Sequence, residues 1–303
     1  MTRRPTRLAI GRAAALCGLA ALGLIGHAAA ALAAEGFSIR PRPWEITMQP
    51  AATPVKAHVL QFDTELVVIT TLIAVLVMVL LLYVIIRFNH KRHPQPSHTS
   101  HNTPIEVLWT VLPVVLLVII AVPSFKLMYY MDRVPAGAMT INVTGHQWYW
   151  SYAYPAQKIA FDSEIVHDSA LKPGQPRLLT ANNPLVVPVG TNVRVLITST
   201  DVIHSWFVPS FGVQEYAMPG RVNESWFNVI RPGTYYGECN QLCGLNHAFM
   251  PIEIRAVSKE DFQRWLVTAK KQFSDNTLHD SRAVRLAALS AVPRAAQPAA
   301  PRN

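Results

Sequence analysis

Two long apolar runs without charge constrain the fold of this 303-residue chain more than any other feature. Residues 66–86 contain no charged side chain, and neither do residues 107–125. Because a helix rises about 1.5 Å per residue, each run is long enough to cross a hydrocarbon core of about 30 Å. The sequence therefore predicts two membrane-spanning helices, at residues 65–86 and 106–128, rather than a buried hairpin of a soluble protein.

The loop between the two runs, residues 87–105, predicts how the hairpin is oriented. It carries Arg87, Lys91 and Arg92 and no acidic residue. Positively charged loops remain in the cytoplasm, so both termini are expected on the outer side. In a bacterial source this places everything after the second span in the periplasm, anchored to the inner (plasma) membrane.

The two ends of the chain have the composition of processed or unfolded segments. In residues 1–33 four arginines precede an apolar Ala- and Leu-rich core and a small-residue cleavage site, which is typical of a secretory signal peptide. A signal anchor is the alternative. Residues 34–64 would then form a periplasmic N-terminal segment, and the Ala-, Pro- and Arg-rich residues 274–303 are expected to be a disordered tail.

The region at residues 129–257 changes to short β-rich runs separated by Pro-Gly turns, which predicts a β-sandwich or barrel. The predicted strands are residues 139–143, 146–154, 185–189, 192–199, 225–230, 235–237 and 251–257. Ser258 is the expected cap of a C-terminal helix over residues 258–273, with an apolar stripe that packs on the β domain. The predicted fold class is a membrane-anchored all-β protein with a two-helix transmembrane hairpin and a C-terminal helix.

Charge in the β region argues against binding to nucleic acid. The formal net charge of the whole chain is +9. Residues 128–269 nevertheless hold ten Lys or Arg against eleven Asp or Glu, which leaves this region near −1. A basic stripe of the kind that binds nucleic acid is not predicted.

The residues suited to metal chemistry are concentrated near the end of the β region. Cys239, Cys243, His247 and Met250 fall within twelve residues. His204 lies thirty-five positions before the first cysteine and is expected to reach the site from a different loop, since the loops of a β-sandwich cluster at one end. Thiolate, imidazole and thioether together favour copper, and a mononuclear blue-copper site needs only one thiolate. Two bridging thiolates can hold two copper ions. The residues alone leave open a disulfide or a Cys2His2 zinc site, although a disulfide gives the histidines no shared role and thioether is a poor zinc ligand.

The cysteine cluster belongs to a set of motifs that together resemble subunit II of the haem–copper cytochrome c oxidases. The other motifs are Gly-His-Gln-Trp-Tyr-Trp-Ser-Tyr at residues 145–152, Asp-Val-Ile-His-Ser-Trp at 201–206 and Pro-Gly-Arg at 219–221. The resemblance implies a cupredoxin fold with a binuclear CuA centre. It also implies that electrons pass from a periplasmic cytochrome c to a haem in subunit I, where O2 is reduced with coupled proton pumping, in a complex that includes subunit III.

The resemblance further implies which donors hold the copper ions, with the two cysteines bridging both. His204 and Met250 complete one ion, and His247 and the backbone carbonyl of Gln241 complete the other. The family usually has glutamate at the position of Gln241, where its side chain helps to hold magnesium or manganese at the junction with subunit I. A neutral amide is a weaker ligand for a hard divalent cation, so this sequence predicts a weakened site for that ion.

Two further residues acquire roles from the resemblance. Trp148 matches the exposed aromatic that receives the electron from cytochrome c, although aromatic residues in strands more often serve packing. Tyr149 and Trp150 are expected to be packing residues. Glu106 matches the glutamate at the mouth of a proton path in the neighbouring subunit, and its alternative role is that of an ordinary carboxylate at a helix N-terminus.

Two other functions use some of the same features. A quinol oxidase subunit II has the fold and the spans but lacks the copper ligands, all of which are present here. A periplasmic copper-binding or copper-delivery protein can use a similar soft-ligand cluster. Such a protein needs neither the two spans nor Trp148 and Glu106.

Overall fold

The computed structural model of the chain describes residues 37–95 and 98–273. The predicted signal peptide at residues 1–33 and the predicted tail at 274–303 lie outside the described residues. Within the described residues the chain forms three α-helices and eleven β-strands.

The two predicted spans lie inside two longer helices, α1 (Pro54–Arg87) and α2 (Thr103–Asp132). Their apolar side chains are exposed along the length of both helices, as is required of surfaces that face lipid. Both helices begin before the predicted spans because side chains cap them there. Thr53 Oγ1 accepts a hydrogen bond from the Lys56 amide at 3.1 Å, and Asn102 Oδ1 accepts one from the Ile105 amide at 3.4 Å.

The start of α1 is built into the β domain. The Thr53 side chain is fully buried, and its hydroxyl donates a hydrogen bond to the carbonyl of Phe211 at 2.7 Å. The preceding residue, Ala52, donates its amide to the Ser210 carbonyl at 2.9 Å and accepts from the Ile230 amide at 3.0 Å. The first anchor helix is therefore tied to the β domain by backbone and side-chain hydrogen bonds.

The β domain is a sandwich of two sheets. The strands are β1 (Ser38–Ile39), β2 (Met139–His146), β3 (Tyr149–Tyr154), β4 (Ile159–Ser163), β5 (Leu185–Pro188), β6 (Asn192–Ser199), β7 (His204–Val208), β8 (Val213–Ala217), β9 (Asn223–Asn228), β10 (Gly233–Cys239) and β11 (Pro251–Val257). One sheet has the order β5-β11-β10-β7-β8, with β1 pairing in parallel with β10. The other has the order β4-β3-β2-β6-β9.

The core between the sheets is rich in aromatic side chains. Along β3 every second residue points inward, so that Trp150, Tyr152 and Tyr154 are all fully buried. From the opposite sheet Trp206 is fully buried as well, and its indole N–H donates to the Tyr152 hydroxyl at 3.4 Å. Burial of such large rings supplies much of the hydrophobic free energy of this domain.

The C-terminal helix α3 (Lys259–Phe273) packs on the sandwich as predicted. Ser258 caps it, because the Ser258 hydroxyl accepts a hydrogen bond from the Asp261 amide at 3.0 Å. The inward stripe is buried against β4 and β5 and consists of Phe262, Leu266, Ala269 and Phe273. The helix therefore extends the core of the sandwich.

The structure also differs from the predicted strands. The run at residues 146–154 is divided, since β2 ends at His146 and β3 begins at Tyr149. Gln147 and Trp148 form the turn between them. Four strands were not predicted, namely β1, β4, β7 and β8.

Candidate metal centre

Two neighbouring strands and one loop bring the predicted copper ligands together. Cys239 is the last residue of β10 and pairs with Trp206 of β7. His204 was expected on a loop, but it is the first residue of β7 and is fully buried. The chain then returns from β10 to β11 through residues 240–250, which carry the remaining donors.

The two cysteine sulfurs form the middle of the cluster. Cys239 Sγ lies 3.8 Å from Cys243 Sγ, and both side chains are buried. This separation is far longer than the roughly 2.05 Å of a disulfide bond, so both residues are free thiols. The ligand atoms of His204, Cys239 and Cys243 all lie within 4.8 Å of one another, a spacing suited to a shared metal site.

The other predicted donors surround this sulfur pair. His204 Nδ1 lies 4.0 Å from Cys239 Sγ, while the Gln241 carbonyl oxygen is 3.3 Å from the same sulfur. The remaining two donors lie beside Cys243 Sγ, with His247 Nδ1 at 3.5 Å and Met250 Sδ at 3.6 Å. All six predicted donors are thus in one small volume.

The two thiols differ in acidity. Burial opposes ionisation of Cys239, but hydrogen bonds with His204 and with the backbone at Ser205 outweigh it and lower the pKa. Burial raises the pKa of Cys243, and the charge on Cys239 raises it further. The pair therefore accepts one negative charge more readily than two. A bound cation offsets the repulsion that opposes the second ionisation.

Asp201 orients the buried histidine, a role that was not predicted. Asp201 Oδ1 lies 2.8 Å from His204 Nε2, and Asp201 Oδ2 accepts the Gln147 amide at 2.6 Å. Burial would raise the pKa of Asp201, but these hydrogen bonds and one from the Val202 amide lower it. The contact directs the other ring nitrogen, Nδ1, toward Cys239. An aspartate three residues before a ligand histidine is the signal that could have revealed this contact.

Removing the charge of Asp201 is expected to weaken copper binding. In Asp201→Asn an amide replaces the carboxylate that fixes the tautomer of His204, and loss of such a partner typically costs about 10–100-fold in metal affinity. Competition titration of the full chain against a copper chelator measures this. The matched control is Asp168→Asn, because Asp168 is exposed and pairs with Arg177 outside the cluster. Equal affinities for the two variants would show that Asp201 has no such role.

The turn that carries Trp148 lies directly on the metal-binding loop. The Trp148 indole N–H donates to the Cys243 carbonyl at 3.3 Å, and the Gln147 side-chain amide donates to the same oxygen at 2.8 Å. Trp148 is partly exposed. In contrast, Trp150 is fully buried and donates its indole N–H to the Met250 carbonyl at 3.2 Å. Of these two tryptophans, Trp148 links the surface to the cluster, whereas Trp150 supports it from within the core.

Glu106 is not part of this cluster. It lies in the first turn of α2, at the end remote from the β domain, and is separated from Asp132 by about 40 Å of helix. Its carboxylate accepts a hydrogen bond from the Asn102 amide at 3.0 Å. The contact lies at the N-terminus of α2, where the helix dipole favours a carboxylate.

Comparison with known proteins covers both parts of the chain. The family model described as cytochrome c oxidase subunit II, periplasmic domain, matches residues 139–257. The model described as the transmembrane domain of the same subunit matches residues 41–127.

Individual relatives agree with these matches. The probable cytochrome c oxidase subunit 2 of Rickettsia felis is 48% identical over 236 residues, which cover 78% of this chain and 75% of the relative. Cytochrome c oxidase subunit 2 of Cereibacter sphaeroides is 38% identical over 274 residues, covering 84% of this chain and 90% of the relative. The periplasmic domain of subunit II of cytochrome oxidase from Bradyrhizobium japonicum, known from a crystal structure, is 50% identical in sequence to the matched part of this chain. It covers 46% of this chain and 99% of that chain, with a TM-score of 0.44.

These matches confirm the predicted resemblance and fold class, and they do not favour a quinol oxidase subunit or a copper-delivery protein. They place the chain in an oxidoreductase, the haem–copper oxidase complex, as a membrane-anchored subunit with a periplasmic domain. The periplasmic domain of this family implies copper binding, for which the two buried thiols, the buried thioether and the two imidazoles described above are suitable donors. The chain belongs to the cytochrome c oxidase subunit II family.

Proposed function

We propose that this subunit receives electrons from a periplasmic cytochrome c at Trp148 and relays them, through a binuclear copper centre, to a haem in subunit I. The observation that carries the proposal is the hydrogen bond from the Trp148 indole to the Cys243 carbonyl, 3.3 Å long. It joins a partly exposed aromatic ring to the backbone of a buried thiol. Copper bound at this cluster supplies a one-electron redox couple.

The donor count supports two copper ions rather than one. If Cys239 and Cys243 bridge both ions, four donors remain, which is two for each ion. The family resemblance implies that His204 and Met250 would complete one ion, and that His247 and the Gln241 carbonyl would complete the other. Burial of His204 and Met250 and the hydrogen bond that His204 donates to Asp201 hold these donors in place, which favours electron transfer because little rearrangement accompanies a change of charge.

The proposed setting is a bacterial inner membrane with both termini and the copper domain in the periplasm. Arg87 at the end of α1, together with Lys91 and Arg92 in the loop that follows, supports this orientation. Subunit I and subunit III of the oxidase are the proposed membrane partners.

Glu106 is proposed as a residue of a proton inlet shared with subunit I. Its position at the loop end of α2, on the side of the membrane opposite the copper domain, supports this role. At the junction with subunit I, the neutral side chain of Gln241 supports only weak binding of magnesium or manganese.

Replacement of Trp148 tests the route of the electron. In the copper-loaded full chain, Trp148→Ala is expected to slow reduction by cytochrome c at least about tenfold, which corresponds to about 1.4 kcal/mol in activation free energy. Stopped-flow reduction measures the rate, and the copper absorption spectrum is expected to be unchanged because no ligand is altered. Leu242→Ala is the matched control, since Leu242 is 77% exposed on the same loop. If Trp148→Ala and the control are reduced equally fast, electrons do not pass through Trp148.

A further inference from the structure

A cavity of about 630 Å³ lies where the end of α2 meets the β domain. Its walls include Lys126, Tyr129 and Arg133 from the end of α2 and the segment after it. Asn192 and Trp226 contribute from β6 and β9. The lining of the cavity includes neither Glu106 nor any residue of the cysteine cluster, and neither of the roles proposed above makes use of it.

Two cations of this cavity form no ion pair within the part of the chain that the structure describes. Among the ion pairs formed by residues 37–95 and 98–273, none includes Lys126 or Arg133. Asp132 is adjacent to Arg133 in sequence, yet in the described part of the chain it forms no ion pair with either cation. The cavity therefore presents uncompensated positive charge.

The depth of the cavity matches the headgroup layer of a bilayer. The uncharged run of the second span ends at Phe125, so Lys126 lies at the edge of the hydrocarbon core. Arg133 follows seven residues later, about 10 Å further along the chain if helical rise is maintained. Headgroup regions extend roughly 5–8 Å beyond each face of the hydrocarbon. The two cations thus bracket the level at which lipid phosphates lie.

Aromatic side chains form the wall between the two cations. Trp226 is buried, and its indole N–H donates to the Met131 carbonyl at 3.0 Å. The Tyr130 ring packs edge-on against Trp226 with ring centroids 5.7 Å apart, while Tyr129 is exposed. Tyr and Trp are enriched at this level of membrane proteins because one part of the ring faces lipid and another faces water. The wall is held in place by contacts between α2 and β9.

We propose that the cavity binds the headgroup of an anionic phospholipid of the outer leaflet, with its phosphate between Lys126 and Arg133. The charge of the ligand is complementary to two unpaired cations, and the exposed apolar side chains of α2 directly below offer a surface for the acyl chains. Such a lipid would fill the joint between the anchor and the copper domain. This proposal is independent of the electron route.

Lipid binding to the full chain in detergent micelles tests the proposal. Native mass spectrometry measures retention of added phosphatidylglycerol and of phosphatidylcholine at equal concentrations. We expect clear preference for phosphatidylglycerol, and we expect the double variant Lys126→Gln, Arg133→Gln to lose at least about tenfold in its affinity, since each cation near a membrane surface contributes about fivefold. The matched control Lys172→Gln, Lys270→Gln removes the same charge from exposed positions on the β domain and on α3.

Three results would overturn the proposal. Equal retention of the two lipids would show that the anionic headgroup is not recognised. An equal loss in the control would show that net charge, and not the cavity, attracts the lipid. Displacement of the lipid by inorganic phosphate at millimolar concentration would make this a site for free anions. Circular dichroism of both double variants verifies that they are folded.

Discussion

In the binuclear centre proposed above, replacing Cys243 with serine is expected to lower the copper content of the purified full chain from two ions to at most one. Serine has nearly the same shape as cysteine, but its hydroxyl is a hard and weakly acidic ligand that does not replace a bridging thiolate. Cys243 Sγ is also the sulfur beside His247 and Met250, so its loss removes the group that these donors share. Elemental analysis per chain and the electron paramagnetic resonance spectrum measure the change.

The electron paramagnetic resonance spectrum distinguishes a binuclear from a mononuclear copper site more clearly than the metal content does. A binuclear site with one shared electron gives a seven-line copper pattern in the unaltered chain, and Cys243→Ser is expected to replace it with the four-line pattern of a single ion or with no signal. Met250→Leu is the control, because it keeps both cysteine sulfurs and removes only the thioether of Met250. An unaltered chain that binds one copper, or that binds zinc in preference, contradicts the binuclear assignment.

Much of this centre could be predicted because its donors are local in sequence. Cys239, Cys243, His247 and Met250 lie on one strand end and one loop, and their chemistry identifies a soft metal without knowledge of the fold. The two spans were predictable for a similar reason, since the thickness of the bilayer sets the length of the apolar runs. Neither inference requires a long-range contact.

The parts that were missed depend on contacts between distant residues. Thr53 is joined to the β domain through Phe211, and Asp201 accepts the amide of Gln147, which lies 54 positions earlier; no local pattern reports either contact. Two of the unpredicted strands, β4 and β8, are at sheet edges. Edge strands are short and partly polar, so their hydrophobic alternation is weak. In β8, for example, Gln214 and Tyr216 are exposed between buried ends.

The strand β7 was overlooked for a different reason. The sequence predicts a loop position for its first residue, His204, because the loops of a β-sandwich cluster at one end and can carry ligands there. The structure instead starts a strand at this histidine and pairs the strand with β8 along its whole length. A strand holds the imidazole more rigidly than a loop, which suits a ligand that must not move when the charge of the site changes.

The other large effect is expected at Gly237, two residues before Cys239 in β10. This glycine has no need for an unusual backbone conformation, but it has no room for a side chain. A Cβ atom there would lie 2.2 Å from the Phe207 carbonyl oxygen of β7, which belongs to the backbone of the neighbouring strand and cannot rotate away. In Gly237→Ala the strands β10 and β7 must separate, at the point where they hold Cys239 beside His204.

Gly237→Ala is therefore expected to destabilise the β domain by about 3 kcal/mol or more, at the upper end of overpacking effects, and to weaken copper binding as Cys239 is displaced. For a domain of this size a loss of that magnitude lowers Tm by roughly 6–12 °C, which thermal denaturation of the full chain followed by circular dichroism measures.

Gly190→Ala is the control. Gly190 has a φ of +66° and open space around its Cβ position, so alanine there adds only backbone strain, about 1–2 kcal/mol. The steric conflict at Gly237 displaces β10, which carries Cys239, whereas the strain at Gly190 affects no strand that carries a copper donor. Only Gly237→Ala is therefore expected to reduce copper affinity. Equal losses of Tm and unchanged copper affinity in both variants would mean that the close approach of β10 and β7 does not hold Cys239 in place.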